Sequence, residues 1–215
     1  EDGRTPVWMA AQNGLLEAVR VLADKANLDL ARENDGATPV FMAAQEGHHE
    51  VVRVLADKGA NLDLAREDGT TPVFLAAEKG HHEVVRVLAE NDANLDLAMD
   101  DGATPVYVAA QEGHYETVRI LHQYKARLHD PRSDGVTALH LAAYNGHLDI
   151  VRYLARHGAD IARLDLHGET ALEAARDGSR TSVVSLLEAV ESAGSWRKHI
   201  ALQRMAYILI RHEVS

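Results

Sequence analysis

The chain has no cysteine among its 215 residues, which excludes disulfide bonds and zinc sites built from thiolates. The absence of cysteine does not determine the cellular compartment. Our expectation is a cytoplasmic or otherwise intracellular protein. Aromatic residues make up only 5% of the chain, so its core must consist mainly of alanine, valine and leucine. No apolar run approaches the roughly 18 residues that a membrane span needs. We therefore expect small, closely packed helices and no membrane insertion.

Motifs of the common catalytic classes are also missing. The sequence contains neither a glycine-rich phosphate loop nor a dinucleotide-binding loop, and no serine lies in a G-x-S-x-G turn. These absences predict that the protein is not an enzyme and that it uses no cofactor.

Charge is unevenly distributed along the chain. The net charge is −11, and the whole excess lies in residues 1–130, because residues 131–215 carry equal numbers of acidic and basic side chains. An acidic body repels phosphate backbones, which argues against a nucleic-acid partner and favours a partner with a basic surface. The alternative is that the charge serves only to keep the protein in solution.

The most regular feature of the sequence is a glycine that recurs every 33 residues. A threonine follows two positions after each of these glycines, and in the first four copies a proline follows the threonine. A period of this length kept through six copies indicates a stack of small repeated units. The recurring glycines are Gly3, Gly36, Gly69, Gly102, Gly135 and Gly168.

The second copy shows how one repeat is expected to fold. Gly36 accepts a turn conformation, Thr38 can cap a helix with its hydroxyl, and Pro39 suits the first helical position. Gly47 is placed to end that helix. A second helix follows in HHEVVRVLADK, where we expect Arg53 and Asp57, four residues apart, to pair on the exposed side.

The signature after each turn reads TPVWMA, TPVFMA, TPVFLA, TPVYVA, TALHLA and TALEAA. Both this signature and the 33-residue period resemble the ankyrin repeat. The resemblance implies an all-α solenoid of helix-turn-helix repeats over residues 1–192, with a C-terminal helix at 195–215 packed on the last repeat. The repeats are expected at about 1–33, 34–66, 67–99, 100–132, 133–165 and 166–192.

Several positions depart from the family pattern. Only the fifth repeat has the usual histidine, His140, and Asp92 and Lys125 replace the glycine found at Gly59. The run Gly194–Arg197 after the last repeat resembles the tails of ankyrin proteins encoded by marine unicellular algae.

Two clusters of chemistry-bearing residues invite other interpretations. The His-His-Glu runs that begin at His48 and His81 suggest zinc, but a metalloprotease helix needs a second histidine where Arg53 stands. Stacked helices lie about 8–10 Å apart, so histidines from successive repeats cannot converge on one metal. Carboxylates at Asp29, Asp63 and Asp96 lie beside asparagines, as turn residues do. We therefore interpret both series as structural and expect no metal site.

The position after Thr-Pro-Val holds an aromatic residue in four successive repeats. On the ankyrin framework this helix lines the concave face, so a row of aromatics there could anchor a partner. The alternative is that the rings fill gaps between neighbouring repeats. The row consists of Trp8, Phe41, Phe74 and Tyr107.

Residues near the ends of the same helices complete the candidate site. In ankyrin proteins the equivalent inner-helix residues and turn tips contact partners, and here they give an acidic, amide-rich strip. They are Gln12, Gln45, Glu46, Glu78, Lys79, Gln111, Glu112 and Tyr144.

These features predict a non-catalytic module, acting as a monomer, that binds another protein through its concave face and turn tips. One alternative is a regulatory or targeting segment of a larger enzyme or channel. A second alternative is a structural spacer without a partner.

Overall fold

The computed structural model describes residues 3–195 and 198–203. The regular structure of these residues is entirely helical, which confirms the predicted all-α fold. Helices with defined bounds come in consecutive pairs, and residues 198–203 are helical as well. The first helices of the pairs are α1 (Pro6–Gln12), α3 (Pro39–Gln45), α5 (Pro72–Glu78), α7 (Pro105–Glu112), α9 (Ala138–Asn145) and α11 (Ala171–Asp177). The second helices are α2 (Leu16–Ala23), α4 (His49–Asp57), α6 (His82–Glu90), α8 (Tyr115–Gln123), α10 (Leu148–Arg156) and α12 (Thr181–Ala193).

Each first helix begins as its sequence predicts. The Thr38 hydroxyl accepts a hydrogen bond from the backbone N–H of Phe41 at 3.2 Å, and Pro39 occupies the first helical turn. Helix α3 ends at Gln45, and Gly47 follows with a φ of 79°, a left-handed conformation that glycine adopts at little cost. The bounds of α3 are therefore set by residues at its own ends: the Thr38 cap and Pro39 at the start, and Gly47 after the end.

The second helices are amphipathic and supply most of the aliphatic core. In α4 the side chains of Val51, Val52 and Leu55 are at most 1% exposed, while Arg53 and Asp57 face solvent. Alanines at Ala43 and Ala44 of α3 are fully buried, so the helices of the pair can approach closely.

The chain divides into two compact units, residues 1–133 and residues 134–215. In the first unit, each first helix packs on the next first helix, each second helix packs on the next second helix, and the two helices of a pair pack together. In the second unit, α9 packs on α11, α10 packs on α12, and the helices of each pair are again in contact. Since one pair buries only part of its apolar surface, each further pair adds to the core.

Within residues 3–195 and 198–203, three residues other than glycine take up a left-handed backbone conformation. Asp92 has a φ of 61° and Lys125 a φ of 72°, at the positions where the sequence departs from the repeated glycine. Ser179 has a φ of 57°, while Gly178 before it keeps an ordinary φ of −71°. Gly178 is needed for another reason, because a Cβ there would lie 2.0 Å from the carbonyl oxygen of Tyr144.

The predicted C-terminal helix, residues 195–215, lies largely outside the described residues. Ser195 and the helical residues 198–203 are its described part, so its packing on the sixth repeat stays a prediction. Among the helices described, none is long and apolar enough to cross a membrane.

Candidate functional site

The polar strip predicted from the sequence lies at the C-terminal ends of the first helices. Glu46 and Glu112 are exposed, and each carboxylate accepts a hydrogen bond of 2.9 Å from the side-chain amide of the glutamine before it. In the third repeat, Lys79 is exposed and its Nζ lies 3.4 Å from Oε2 of Glu78. In the second compact unit, Tyr144 at the end of α9 is 49% exposed. Gln12, Gln45, Glu78 and Gln111 are half-buried.

The aromatic row is buried, which corrects the expectation of an exposed adhesive stripe. The exposed fractions of Trp8, Phe41, Phe74 and Tyr107 are 0%, 1%, 6% and 3%. The indole N–H of Trp8 donates to the carbonyl oxygen of Ala37 at 2.9 Å, so this ring is tied to the next repeat. The rings therefore fill the space between neighbouring repeats, which was the alternative interpretation.

An arginine from the turn after each of three repeats lies over the aromatic ring. The Cζ atoms of Arg32, Arg66 and Arg132 are 5.0, 5.4 and 5.4 Å from the ring centroids of Trp8, Phe41 and Tyr107, respectively. At these distances a guanidinium group is attracted by the face of the ring. Three of the four rings are therefore covered by a positively charged side chain from the following turn.

The histidines that suggested zinc connect successive repeats. His48, His81 and His114 donate from Nε2 to the carbonyl oxygens of Gln12, Gln45 and Glu78, at 3.1, 3.0 and 2.9 Å. Each ring thus satisfies a carbonyl at the end of the preceding first helix, which no helical N–H can reach. Within residues 3–195 and 198–203, no three His, Asp or Glu side chains are grouped closely enough to hold a metal ion.

The carboxylates of the outer turns have the same connecting role. Asp29 Oδ1 accepts the backbone N–H of Asn61 at 2.8 Å, and Asp63 Oδ1 accepts that of Asn94 at 2.9 Å. Asp96 accepts the backbone N–H of Arg127 at 2.8 Å. These contacts account for the Asp-Asn series by turn structure, as interpreted from the sequence.

Aspartates in the turns just before the first helices, which we call the inner turns, are held in their charged form. The Arg32 guanidinium hydrogen-bonds to Asp35 and holds the pKa of that carboxyl below its ordinary value. The hydroxyl of Thr70 does the same to the pKa of Asp68, whose Oδ1 also accepts the Thr70 backbone N–H at 2.9 Å. The inner turns therefore keep fixed negative charges beside the arginines.

One cavity in the first compact unit combines these features. It has a volume of about 390 Å³ and opens between the ends of α5 and α7 and the turns beside them. We call it the α5–α7 groove. Its apolar lining comes from Phe74, Leu75, Met99, Tyr107 and Val108, and its charged lining from Arg66, Asp68, Glu78, Asp101 and Arg132.

Comparison with known families decides the class of protein. The family profile described as "Ankyrin repeats (3 copies)" matches residues 1–66, 60–132 and 121–193, which together span most of the chain. The chain belongs to the ankyrin-repeat family. Ankyrin repeats are in general protein–protein interaction modules, and their fold is not a catalytic one. Comparison with curated proteins gives no significant match. The family match ends before Gly194–Arg197, so the likeness of that run to algal ankyrin tails stays an expectation.

Sequence reasoning did not include the turn arginines among the site residues of this ankyrin array. A signal for them exists, because Arg66 and Arg132 each stand three residues before a recurring glycine. Met99 stands at the same spacing before Gly102, which marks the third repeat as different. The same 33-residue comparison that found the aromatic row would have found the turn arginines and the methionine that replaces one of them.

Proposed function

We propose that this ankyrin array is a non-catalytic module that binds another protein through the polar strip, the inner turns and the α5–α7 groove. One observation carries the proposal: Glu46, Lys79 and Glu112 are exposed at the same place in successive repeats. None of these three side chains belongs to the buried core of the repeats. Repetition along the stack turns this strip into an extended surface suited to a partner chain.

Charge supports a partner with a basic surface. The first compact unit holds nearly all of the acidic excess of the chain, and its inner turns keep Asp35 and Asp68 ionised. Complementary charges increase the rate of encounter between proteins and select against wrong partners. A monomeric array and an intracellular location remain predictions of the sequence.

The test begins with affinity capture of partners from the source cell and continues with the isolated pair. Changing Glu46, Glu78 and Glu112 to glutamine should slow association about tenfold at low salt and flatten its salt dependence. The measurement is surface plasmon resonance at several salt concentrations.

A matched control makes the same charge change on the second helices, outside the polar strip. Glu17, Glu50 and Glu116 lie in the first turns of second helices and face solvent. Changing these three to glutamine should leave the association rate within twofold of the original. Equal effects of the two triple variants would contradict binding through the polar strip.

A further inference from the structure

The third repeat interrupts the series of arginines that cover the aromatic rings. Three rings, those of Trp8, Phe41 and Tyr107, carry a guanidinium group from the following turn. Phe74 belongs to the same series, and the residue at the corresponding place in its following turn is Met99.

The backbone confirms that Met99 is equivalent to the arginines. A Cβ added to Gly36 would lie 3.5 Å from Cα of Arg66, and one added to Gly102 would lie 3.4 Å from Cα of Arg132. The corresponding distance from Gly69 to Cα of Met99 is 3.1 Å. The turns are stacked alike, so the difference between them lies in the side chain.

This substitution gives the α5–α7 groove an apolar wall. Met99 is half-buried and lines the cavity together with Phe74, Leu75, Tyr107 and Val108. A thioether side chain is flexible and adapts to different apolar partners, whereas a guanidinium group would bring a hydrated charge. The groove has a volume of about 390 Å³ and is open to solvent, so a side chain of a partner can enter it.

The charged lining determines what can stand beside an apolar group in the groove. Arg66 and Arg132 already lie over rings, and Nη1 of Arg132 is 3.8 Å from Oδ2 of Asp101. The side chain of Asp101 is 52% exposed, so its carboxylate can accept a further donor. Glu78 is 37% exposed and has Nζ of Lys79 at 3.4 Å from Oε2, which leaves its Oε1 for another donor. With Asp68 included, acidic groups outnumber basic ones along the lining. An incoming cation is thus favoured over an incoming anion.

We propose that the α5–α7 groove is an anchor site for a basic peptide segment, with one apolar side chain against Met99 and Leu75 and a neighbouring lysine or arginine at Asp101 or Glu78. The inference rests on the proposed function, because it names the chemistry of the partner at one place on that surface. It assigns one determinant of specificity to the third and fourth repeats.

The experiment uses the full chain and fluorescein-labelled nonapeptides with Lys-Leu-Lys, Lys-Ser-Lys or Glu-Leu-Glu at their centre, followed by anisotropy. The Lys-Leu-Lys peptide should bind at least about tenfold more tightly than either of the others. The methyl resonance of Met99, one of four methionines, should shift during the titration while that of the buried Met42 stays in place. Absence of saturable binding, or equal binding of the three peptides, would overturn the inference.

The decisive variant is Met99→Arg, which restores the residue found at the equivalent turns and should therefore fold. It should weaken binding of the Lys-Leu-Lys peptide about tenfold or more. The control Gln123→Arg adds the same charge at an exposed site outside the groove and should change affinity less than twofold. Should Met99→Arg retain full affinity with an unchanged melting temperature, the groove is not the anchor site.

The captured partner separates this inference from the proposed function. If Met99→Arg leaves partner binding intact while the Glu46, Glu78 and Glu112 changes weaken it, the anchor site is wrong and the polar strip stands. If Met99→Arg weakens partner binding and the Gln123→Arg control does not, the anchor site is supported. If neither set of changes affects binding, both proposals fail.

Discussion

The contact between successive repeats at Gly80 can be tested by adding a single methyl group. Gly80 follows α5 with a φ of 71°, and the ring of His114 from the next repeat lies directly over it. A Cβ at Gly80 would lie 2.6 Å from Nδ1 and 2.7 Å from Cε1 of that ring, closer than any real contact. Gly80→Ala should therefore combine backbone strain with displacement of the ring.

A second glycine, Gly59, allows the cost of backbone strain to be separated from the cost of displacing the ring. Gly59 has a φ of 82°, and a Cβ there would have no atom within 4 Å. Gly59→Ala should cost only the left-handed conformation, about 1–2 kcal/mol of unfolding free energy. Gly80→Ala should cost a further 1–3 kcal/mol or so, because overpacking must shift His114 and weaken its 2.9 Å bond to the Glu78 carbonyl.

The assay is urea denaturation followed by circular dichroism, with the slope of each transition checked for constancy. The double variant Gly80→Ala, His114→Ala should be more stable than the sum of its single variants predicts, because the methyl group then occupies the space of the lost ring. Equal losses in Gly59→Ala and Gly80→Ala would refute the reasoning, and so would strict additivity in the double variant.

Three further predictions concern stability. Lys125→Gly should raise the unfolding free energy by about 1 kcal/mol by relieving the left-handed conformation at φ 72°, whereas Lys125→Ala should not, as thermal melts will show. Val54→Lys should cost more than about 2 kcal/mol because the side chain is only 6% exposed, while Val21→Lys, at the same place in the first repeat but 72% exposed, should be nearly neutral in urea titrations. Because the pKa of Asp35 is lowered in the folded state, its contribution to the free energy of unfolding is present above the ordinary pKa of 3.8 and is lost as pH falls through the folded pKa. Arg32→Gln should raise that pKa, as an NMR titration will show, and make stability less sensitive to acid.

The elements that could be predicted from the sequence are those that depend on neighbours a few residues away. The Thr38 cap, the Pro39 start and the left-handed Gly47 all lie within one helix and its ends, so one copy of the repeat contains the information. The 33-residue period then extended these local predictions along the array. Pairing of the helices and burial of their apolar sides followed because a lone pair has no other way to cover them.

Contacts between repeats could not be predicted from one copy. Arg53 was expected to pair with Asp57 on its own helix, but its Nη1 lies 3.2 Å from Oε2 of Glu90 on α6. A spacing of four residues describes neighbours on one helix and contains no information about the helix stacked beside it. The aromatic row was ambiguous for the same reason, since burial of Phe41 depends on the turn that follows its repeat.

Near-identity of successive repeats makes their differences informative about binding. Neighbouring repeats solve the same packing problem, and the turns at Arg66, Met99 and Arg132 stack at similar distances whichever side chain they carry. The stacking of the turns is thus kept with either arginine or methionine at this place. A methionine there alters the lining of the α5–α7 groove, and Lys79, in the same repeat, places a cation where Glu46 and Glu112 place anions. Both departures alter what the third repeat offers to a partner, and for that reason the α5–α7 groove is where selectivity should first be sought.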